Sequence, residues 1–172
     1  MNTISELLKT QTIDTYNWIE KLITDIAYEK WLDTPEILDT NIAWQIGHLT
    51  LSQYYYTIVL VNGPRKDFAE SIDLKKYSGL FANGQKRKEL TSVVSVNELL
   101  YNWQSMKALT VETLSTIHDT DLCKDTFKMP KPHPFVVTIE NSIGWNIKHN
   151  MWHCGQMAML KRVIDKPLDF GM

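Results

Sequence analysis

The chain has 172 residues, of which 44% are hydrophobic and 22% charged, and its formal net charge is −2. This balance is typical of a globular protein and offers no basic surface for nucleic acid or an acidic membrane. Two cysteines are too few for a disulfide framework, and we find neither a signal peptide nor an apolar run of about 18 residues that could span a membrane. We therefore expect a single cytoplasmic domain over residues 1–172, with no nucleic-acid or membrane partner.

The first predicted helix begins after Thr3 and ends near residue 26. Thr3 and Glu6 have the spacing of a capping box, in which each side chain accepts a hydrogen bond from the other residue's amide. Apolar residues then recur at helical spacing. Residues 27–39 contain Pro35 among scattered polar and aromatic residues, and this composition predicts a connection that is partly packed against the helices.

The second predicted helix begins near Asp39 or Thr40, both of which are good N-cap residues. It ends at residues 62–64, Asn-Gly-Pro, where the glycine can adopt a left-handed conformation and the proline cannot continue the helix. The residues between are apolar on more than one face, which predicts a mostly buried helix. His48 lies near its middle.

A polar connection over residues 64–94 follows, with a short helix expected near residues 67–74. It holds two basic clusters, Lys75-Lys76 and the Lys-Arg-Lys of residues 86–88. We expect both clusters to lie on solvated faces, and nucleic-acid binding is the alternative.

The third predicted helix begins with a second capping box, Ser95 and Glu98, and has one apolar and one polar face. His118 lies at its end, where an imidazole commonly interacts with the last carbonyl groups, and a metal role is the alternative. The connection that follows, residues 119–137, contains Pro-Lys-Pro-His-Pro, which favours an extended strip. We expect His133 in this strip to be an exposed loop side chain, with a position over a pocket as the alternative.

The fourth predicted helix runs from near Thr138 to about Ile164 and is apolar nearly all round, Met151, Trp152 and Val163 included. We therefore expect the two helices that carry the histidines to be the two most buried ones. Four helices with two long connections predict an all-α four-helix bundle, and the connections are long enough for crossovers.

Three histidines are the candidate metal ligands. His149 and His153 are four residues apart and share one helical face. The heptapeptides that end at His48 and at His149 share one pattern: isoleucine, small residue, tryptophan, carboxamide, isoleucine, any residue, histidine. Neutral imidazoles bind zinc, nickel, copper and iron, and three of them leave an open coordination position, as catalytic sites do. Hydrogen-bonded core histidines are the structural alternative.

A protease function is excluded by one position. The histidine pair has the spacing of the zinc-protease motif, in which a glutamate after the first histidine is the general base. The chain has Asn150 there, and an amide cannot take up a proton in that role.

Two motifs together resemble a known family. The segment Ile-Gly-His-Leu at residues 46–49, followed by H-x-x-x-H-x-G-Q at residues 149–156, is similar to the DinB/YfiT-like family of metalloenzymes, and the resemblance extends along the whole chain. It implies a bundle of up-down-down-up order, a divalent metal ion held by His48, His149 and His153, and a homodimer. Nickel and zinc are the metals it favours, with manganese and iron as alternatives. Relatives include S-transferases that use bacillithiol or glutathione and mycothiol-dependent maleylpyruvate isomerases.

Residues beside the histidine pair carry further predictions. Relatives commonly have arginine after the second histidine, and this chain has Cys154, which we expect in the core. Gln156 is a candidate hydrogen-bond partner behind the metal ligands, and Gly155 a point of close helix approach; ordinary helix packing is the alternative for both. Several aromatic residues are expected in the core rather than in a pocket wall: Trp44, Tyr55, Trp145 and Trp152.

The function these features favour is that of a metal-dependent enzyme acting on a small molecule. A thiol S-transferase that uses a low-molecular-weight thiol is the first hypothesis, and a metal-dependent hydrolase is the second. A non-catalytic bundle that binds a metal or a small molecule is the alternative from a different class. The sequence identifies no general acid or base.

Overall fold

The computed structural model describes residues 3–82, 94–131, 133–169 and 171. These residues form seven helices and no strand. The helices are α1 Ile4–Ile23; α2 Ile42–Gln53, which continues as a π-helix over Tyr54–Val59 and a last turn Leu60–Asn62; α3 Lys66–Ser71; α4 Leu74–Phe81; α5 Val96–Ser115; α6 Asp119–Leu122; and α7 Ile139–Ile164. Helices α1, α2, α5 and α7 form a four-helix bundle, as predicted.

Helix directions follow from hydrogen-bonded pairs near the two ends of each interface. For α1 with α5 the pairs are Glu20–Gln104 and Ile4–Asp119, the latter just beyond the end of α5. For α1 with α7 they are Thr15–Asn150 and, just beyond the ends of both helices, Lys30–Asp165. For α2 with α7 they are Tyr56–Ser142 and Gln45–His153. Helix α1 is therefore antiparallel to α5 and parallel to α7, and α2 is antiparallel to α7. The order is up-down-down-up, which confirms the predicted topology.

Cap residues set the helix starts. The capping box of Thr3 and Glu6 forms as predicted. Helix α2 begins later than expected, with Asn41 as its N-cap: the Asn41 side chain accepts from the Trp44 amide at 2.8 Å. Asp39 has a positive φ of 44°, so it belongs to the turn that leads into the helix. Gly63 ends α2 with a φ of 84°, a conformation that favours glycine.

The second predicted capping box, Ser95 with Glu98, forms one of its two hydrogen bonds. The Ser95 hydroxyl accepts from the Glu98 amide at 3.1 Å, but the Glu98 carboxylate accepts from Lys76 Nζ at 2.9 Å. His118 was predicted to interact with the last carbonyl groups of α5, but α5 ends at Ser115. His118 is the N-cap residue of α6, and its amide donates to the Asp121 carboxylate at 2.9 Å.

The crossover between α2 and α5 contains more helix than predicted. It contains α3 and α4, and Tyr77 and Phe81 of α4 are fully buried. The predicted short helix at residues 67–74 is thus replaced by two helices that divide near Asp73. The basic cluster at residues 86–88 lies outside the described residues.

Helix α7 is apolar all round in sequence but not buried all round. Its Met151, Trp152, Met159 and Val163 side chains are exposed, which corrects the prediction that this helix is mostly buried. The core lies on its other side, where Met157 and Leu160 pack with residues of α1, α2 and α5. Among the described residues, none of the helices has the length and hydropathy needed to cross a membrane.

Candidate metal centre

The three predicted histidines lie together at the interface of α2 and α7. His149 Nε2 is 3.4 Å from His48 Nε2 and 3.1 Å from His153 Nε2. His48 and His153 are buried and His149 is half-buried. One nitrogen from each ring lies within 4.8 Å of the others, a grouping that could hold a metal ion. The helices bring them together because α2 and α7 are antiparallel and His149 and His153 are one turn apart.

His48 is oriented by the crossover segment. Its Nδ1 lies 2.8 Å from the Phe81 carbonyl oxygen at the end of α4. A carbonyl oxygen can only accept, so Nδ1 carries the proton and Nε2 presents its lone pair to the cluster. The Trp44 indole stacks on the imidazole, with ring centroids 4.7 Å apart. Sequence reasoning missed Phe81, because a backbone acceptor leaves no trace in residue type.

His153 is oriented by Gln45. Its Nδ1 contacts Gln45 Oε1, while Gln45 Nε2 donates to Thr40 Oγ1 at 3.0 Å and to Gln156 Oε1 at 2.9 Å. Gln45 Oε1 is therefore the acceptor, and His153 also presents Nε2 to the cluster. Gln156 was predicted to lie directly behind a histidine, but it contacts Gln45 instead. Gln45 could have been found from the sequence, since it is the carboxamide of the repeated pattern that ends at His48.

His149 differs from the other two. Its Nδ1 is buried and has no hydrogen-bond partner among the described residues. Burial, and in second place the nearby His48, lower the pKa of His149 to about 4, so the ring is neutral at pH 7. Neutral imidazole is the form that binds a metal.

The donor set fits a divalent cation. Two of the three Nε2 atoms carry lone pairs because their Nδ1 protons are bonded elsewhere. The Nε2 atoms of His48 and His153 lie 3.4 Å and 3.1 Å from His149 Nε2. A single proton on His149 Nε2 can form a good hydrogen bond to only one of them at a time. A cation among the three nitrogens would satisfy all of them at once.

A buried polar network lies beside the histidines and sets the register of α2 against α7. Gln53 Oε1 accepts from Tyr16 and Asn146, each at 2.8 Å, and Gln53 Nε2 donates to Asn150 at 3.0 Å. Asn150 in turn donates to Thr15 at 3.0 Å. Asn150 is thus a structural residue, which agrees with the exclusion of protease chemistry. Hydrogen bonds have directional geometry, so this network resists a slip of one helix along the other.

A cavity of about 300 Å³ opens beside the cluster. Its described lining residues are Leu38, Thr40, Trp44, His48, His149, Trp152, His153, Gln156 and Met159. Trp152 was expected in the core, but its side chain is 66% exposed and forms part of the cavity mouth. A Cβ added at Gly155 would meet no heavy atom of the described residues within 4 Å, so no described helix approaches it closely and that prediction is wrong. Trp44 is buried and also reaches the cavity.

His133 belongs to an aromatic cluster and not to the metal ligands. Its ring centroid lies 5.2 Å from that of Trp145 and 5.6 Å from that of Tyr56, and Tyr56 in turn lies 6.1 Å from His149. His133 is half-buried rather than an exposed loop residue, and it lines a second cavity of about 370 Å³. Burial raises the pKa of the Tyr56 hydroxyl.

Cys154 lies in the hydrophobic core with Met157, as predicted. Its side chain is 5% exposed, and burial raises the pKa of its thiol to about 12. A thiol of this kind is a poor nucleophile, because the thiolate is the reactive form. Cys123, by contrast, is exposed.

Comparison with known proteins identifies the family. None of the curated proteins matches the chain. A solved structure of a conserved protein from Enterococcus faecalis is similar in fold, with a TM-score of 0.74 over 95% of this chain and 98% of the other, at 15% sequence identity. The family model of the DinB superfamily matches residues 11–157. Because this match covers most of the chain, the protein belongs to the DinB superfamily.

Proposed function

We propose that the protein is a metal-dependent enzyme that binds a divalent ion through the Nε2 atoms of His48, His149 and His153. The observation that carries the proposal is the convergence of these three atoms beside an open cavity. Nickel and zinc suit a set of three imidazoles better than the harder cations do, which favour oxygen ligands. Manganese and iron are the weaker alternatives.

The reaction we propose is S-transfer from a low-molecular-weight thiol to an electrophilic acceptor. A divalent ion at three neutral imidazoles supplies Lewis acidity, which lowers the pKa of a thiol or a water at the open side. The thiol sulfur forms a bond to an electrophilic carbon, the leaving group departs with its electron pair, and the thiol proton passes to solvent.

The chain's own residues prepare the site. Phe81 and Gln45 hold the Nδ1 protons of two ligands, so the imidazoles do not reorganise when the reactants arrive. Leu38, Trp44 and Met159 contribute apolar wall to the cavity and exclude water from one side of it. The described cavity residues other than the histidines include no acid or base, so we assign no proton transfer to a side chain.

Metal analysis tests the ligand set. Purified wild type is compared with His48→Ala, His149→Ala and His133→Ala by elemental analysis after reconstitution with nickel or zinc. We expect about one ion per chain in wild type and in the His133 variant, which lies outside the cluster, and a loss of at least about tenfold in affinity for the other two. Equal metal content in all four proteins would contradict the proposal.

Conjugation assays test the reaction. Bacillithiol, glutathione and cysteine are each offered with an electrophilic aromatic acceptor, with and without a chelator. Turnover that the chelator abolishes and added metal restores is the expected result. A metal-loaded protein that gives no turnover with any thiol would favour the non-catalytic bundle.

A hydrolase is the second candidate, and one observation favours it. The described residues of the cavity offer no cationic side chain for the carboxylates of bacillithiol or glutathione, whereas water needs no such group. Chelator-sensitive ester hydrolysis without any thiol would support this alternative over S-transfer. The thiol cosubstrate, the homodimer and the cytoplasmic location stay predictions.

A further inference from the structure

The cavity wall is uncharged. Apart from the histidines, its described residues are Leu38, Thr40, Trp44, Trp152, Gln156 and Met159, and none of them carries a charge. Lys148 is exposed one helical turn before Trp152, but it does not line the cavity. An anionic group that lay against this wall, out of reach of the metal ion, would lose its water without gaining a cationic side chain from the described lining residues, which is unfavourable.

The mouth of the cavity presents an aromatic face. Trp152 is 66% exposed and Met159 58% exposed, and both lie on the same side of α7. Gly155 lies between them along the helix, and a Cβ added there would meet no heavy atom of the described part of the chain within 4 Å. The indole therefore has open space beside it. One exposed apolar residue is ordinary on a protein surface, but here two of them border the same opening next to the histidine cluster.

The size of the cavity limits what enters it. A volume of about 300 Å³ is at the low end of the range for small-molecule sites, roughly 300–1,000 Å³. It admits one ring and a short arm that reaches the histidines. Larger polar parts of a substrate would stay outside the mouth.

We propose that this cavity binds an uncharged aromatic group, which stacks on the Trp152 indole while its reactive arm reaches the metal centre. The inference rests on the proposed function, since it names the substrate class of the same site. Two observations support it: the neutral wall disfavours an anionic group on the part of the ligand away from the metal ion, and the open indole face matches a planar ring.

Two thiol probes of matched shape test the charge preference. Phenylmethanethiol is uncharged outside its sulfur, and 4-(mercaptomethyl)benzoate carries a distant carboxylate that cannot chelate the same ion. Each is titrated into cobalt-substituted protein, and binding is followed by the sulfur-to-cobalt charge-transfer absorption. We expect the uncharged probe to bind about tenfold more tightly or better. Equal affinities, or tighter binding of the carboxylate, would overturn the proposal.

Variants of α7 test the stacking partner. Trp152→Ala should weaken phenylmethanethiol about tenfold, while Trp152→Phe keeps an aromatic face and should restore most of the affinity. Met151→Ala is the matched control, because Met151 is also exposed on α7 but does not line the cavity. An unchanged affinity in Trp152→Ala, or an equal loss in Met151→Ala, would count against the inference.

A metal-free experiment separates this inference from the proposed function. The indole N–H resonance of Trp152 is followed by NMR, assigned with Trp152→Phe, while 4-methylphenol or 4-methylbenzoate is added to metal-free protein. A saturable shift with the phenol and none with the benzoate is expected even if the protein never binds a metal. If the metal binds but neither probe shifts the resonance, the proposed metal site survives and this inference fails.

Discussion

The Nδ1 atom of His48 lies 2.8 Å from the carbonyl oxygen of Phe81. This bond joins the candidate metal centre to the last residue of α4, in the crossover that connects two parallel helices of the bundle. The side chain of Phe81 is also fully buried, and its ring lies against Gly47. Packing at Gly47 and orientation of His48 are therefore coupled, since the same residue provides the ring and the acceptor.

Gly47→Ala is predicted to disturb both the packing against Phe81 and the orientation of His48. A Cβ at this position would lie 2.5 Å from the Phe81 ring, a distance that forces one of the two apart. Overpacking of this kind costs about 1–3 kcal/mol of unfolding free energy, and the displaced carbonyl should also weaken metal binding. Urea unfolding and competition with a metal indicator measure the two effects.

The control for this change is Gly144→Ala on α7, where an added Cβ would meet no heavy atom within 4 Å among the residues that the structure describes. Alanine in an open helical position is expected to stabilise the protein by up to about 1 kcal/mol, with metal affinity unchanged. If both substitutions gave the same result, the contact with Phe81 would have no role.

Gln45 is predicted to control metal affinity through His153. Gln45→Leu removes the acceptor of the Nδ1 proton and should lower affinity roughly 10–100-fold. Gln45→Glu keeps an acceptor in the same place and should retain wild-type affinity or better. Gln156→Leu should lose less than Gln45→Leu, because Gln156 contacts Gln45 and not a histidine. Chelator competition measures all three, and equal affinity of Gln45→Leu and wild type would contradict the assignment.

The bundle and the three histidines were predictable because they depend on residue type and spacing. Apolar periodicity gives the four long helices, and the two histidine motifs give the cluster. The acceptor on Phe81 was not predictable, because any residue supplies a backbone carbonyl. The exposure of Trp152 was not predictable either. An apolar residue on an apolar helix is expected in the core, and the sequence does not show which face the neighbouring helices leave open.

Gln53 is predicted to be a stability residue. Its side chain pairs with Tyr16, Asn146 and Asn150, all of which are buried. Gln53→Leu leaves three buried polar groups without this partner, and we expect a loss of about 3 kcal/mol or more in unfolding free energy. Gln104→Leu is the control at an exposed glutamine of α5, where the change should stay within about 0.5 kcal/mol. Similar losses in urea unfolding for the two variants would show that the network contributes nothing beyond a surface contact.

Asp165 is predicted to make the bundle sensitive to acid. Its carboxylate lies 3.0 Å from Lys30 Nζ and 3.4 Å from Lys161 Nζ, and the bond to Lys30 is the main cause of its lowered pKa. A lowered folded-state pKa stabilises the protein above the unfolded value of about 3.9, and this stabilisation is lost as the pH falls through the folded value. Asp165→Asn should therefore flatten the thermal stability profile below about pH 4. It also leaves the buried Lys161 ammonium without its carboxylate, so adding Lys161→Met should recover stability at neutral pH. Profiles that keep the wild-type slope in acid would contradict this role.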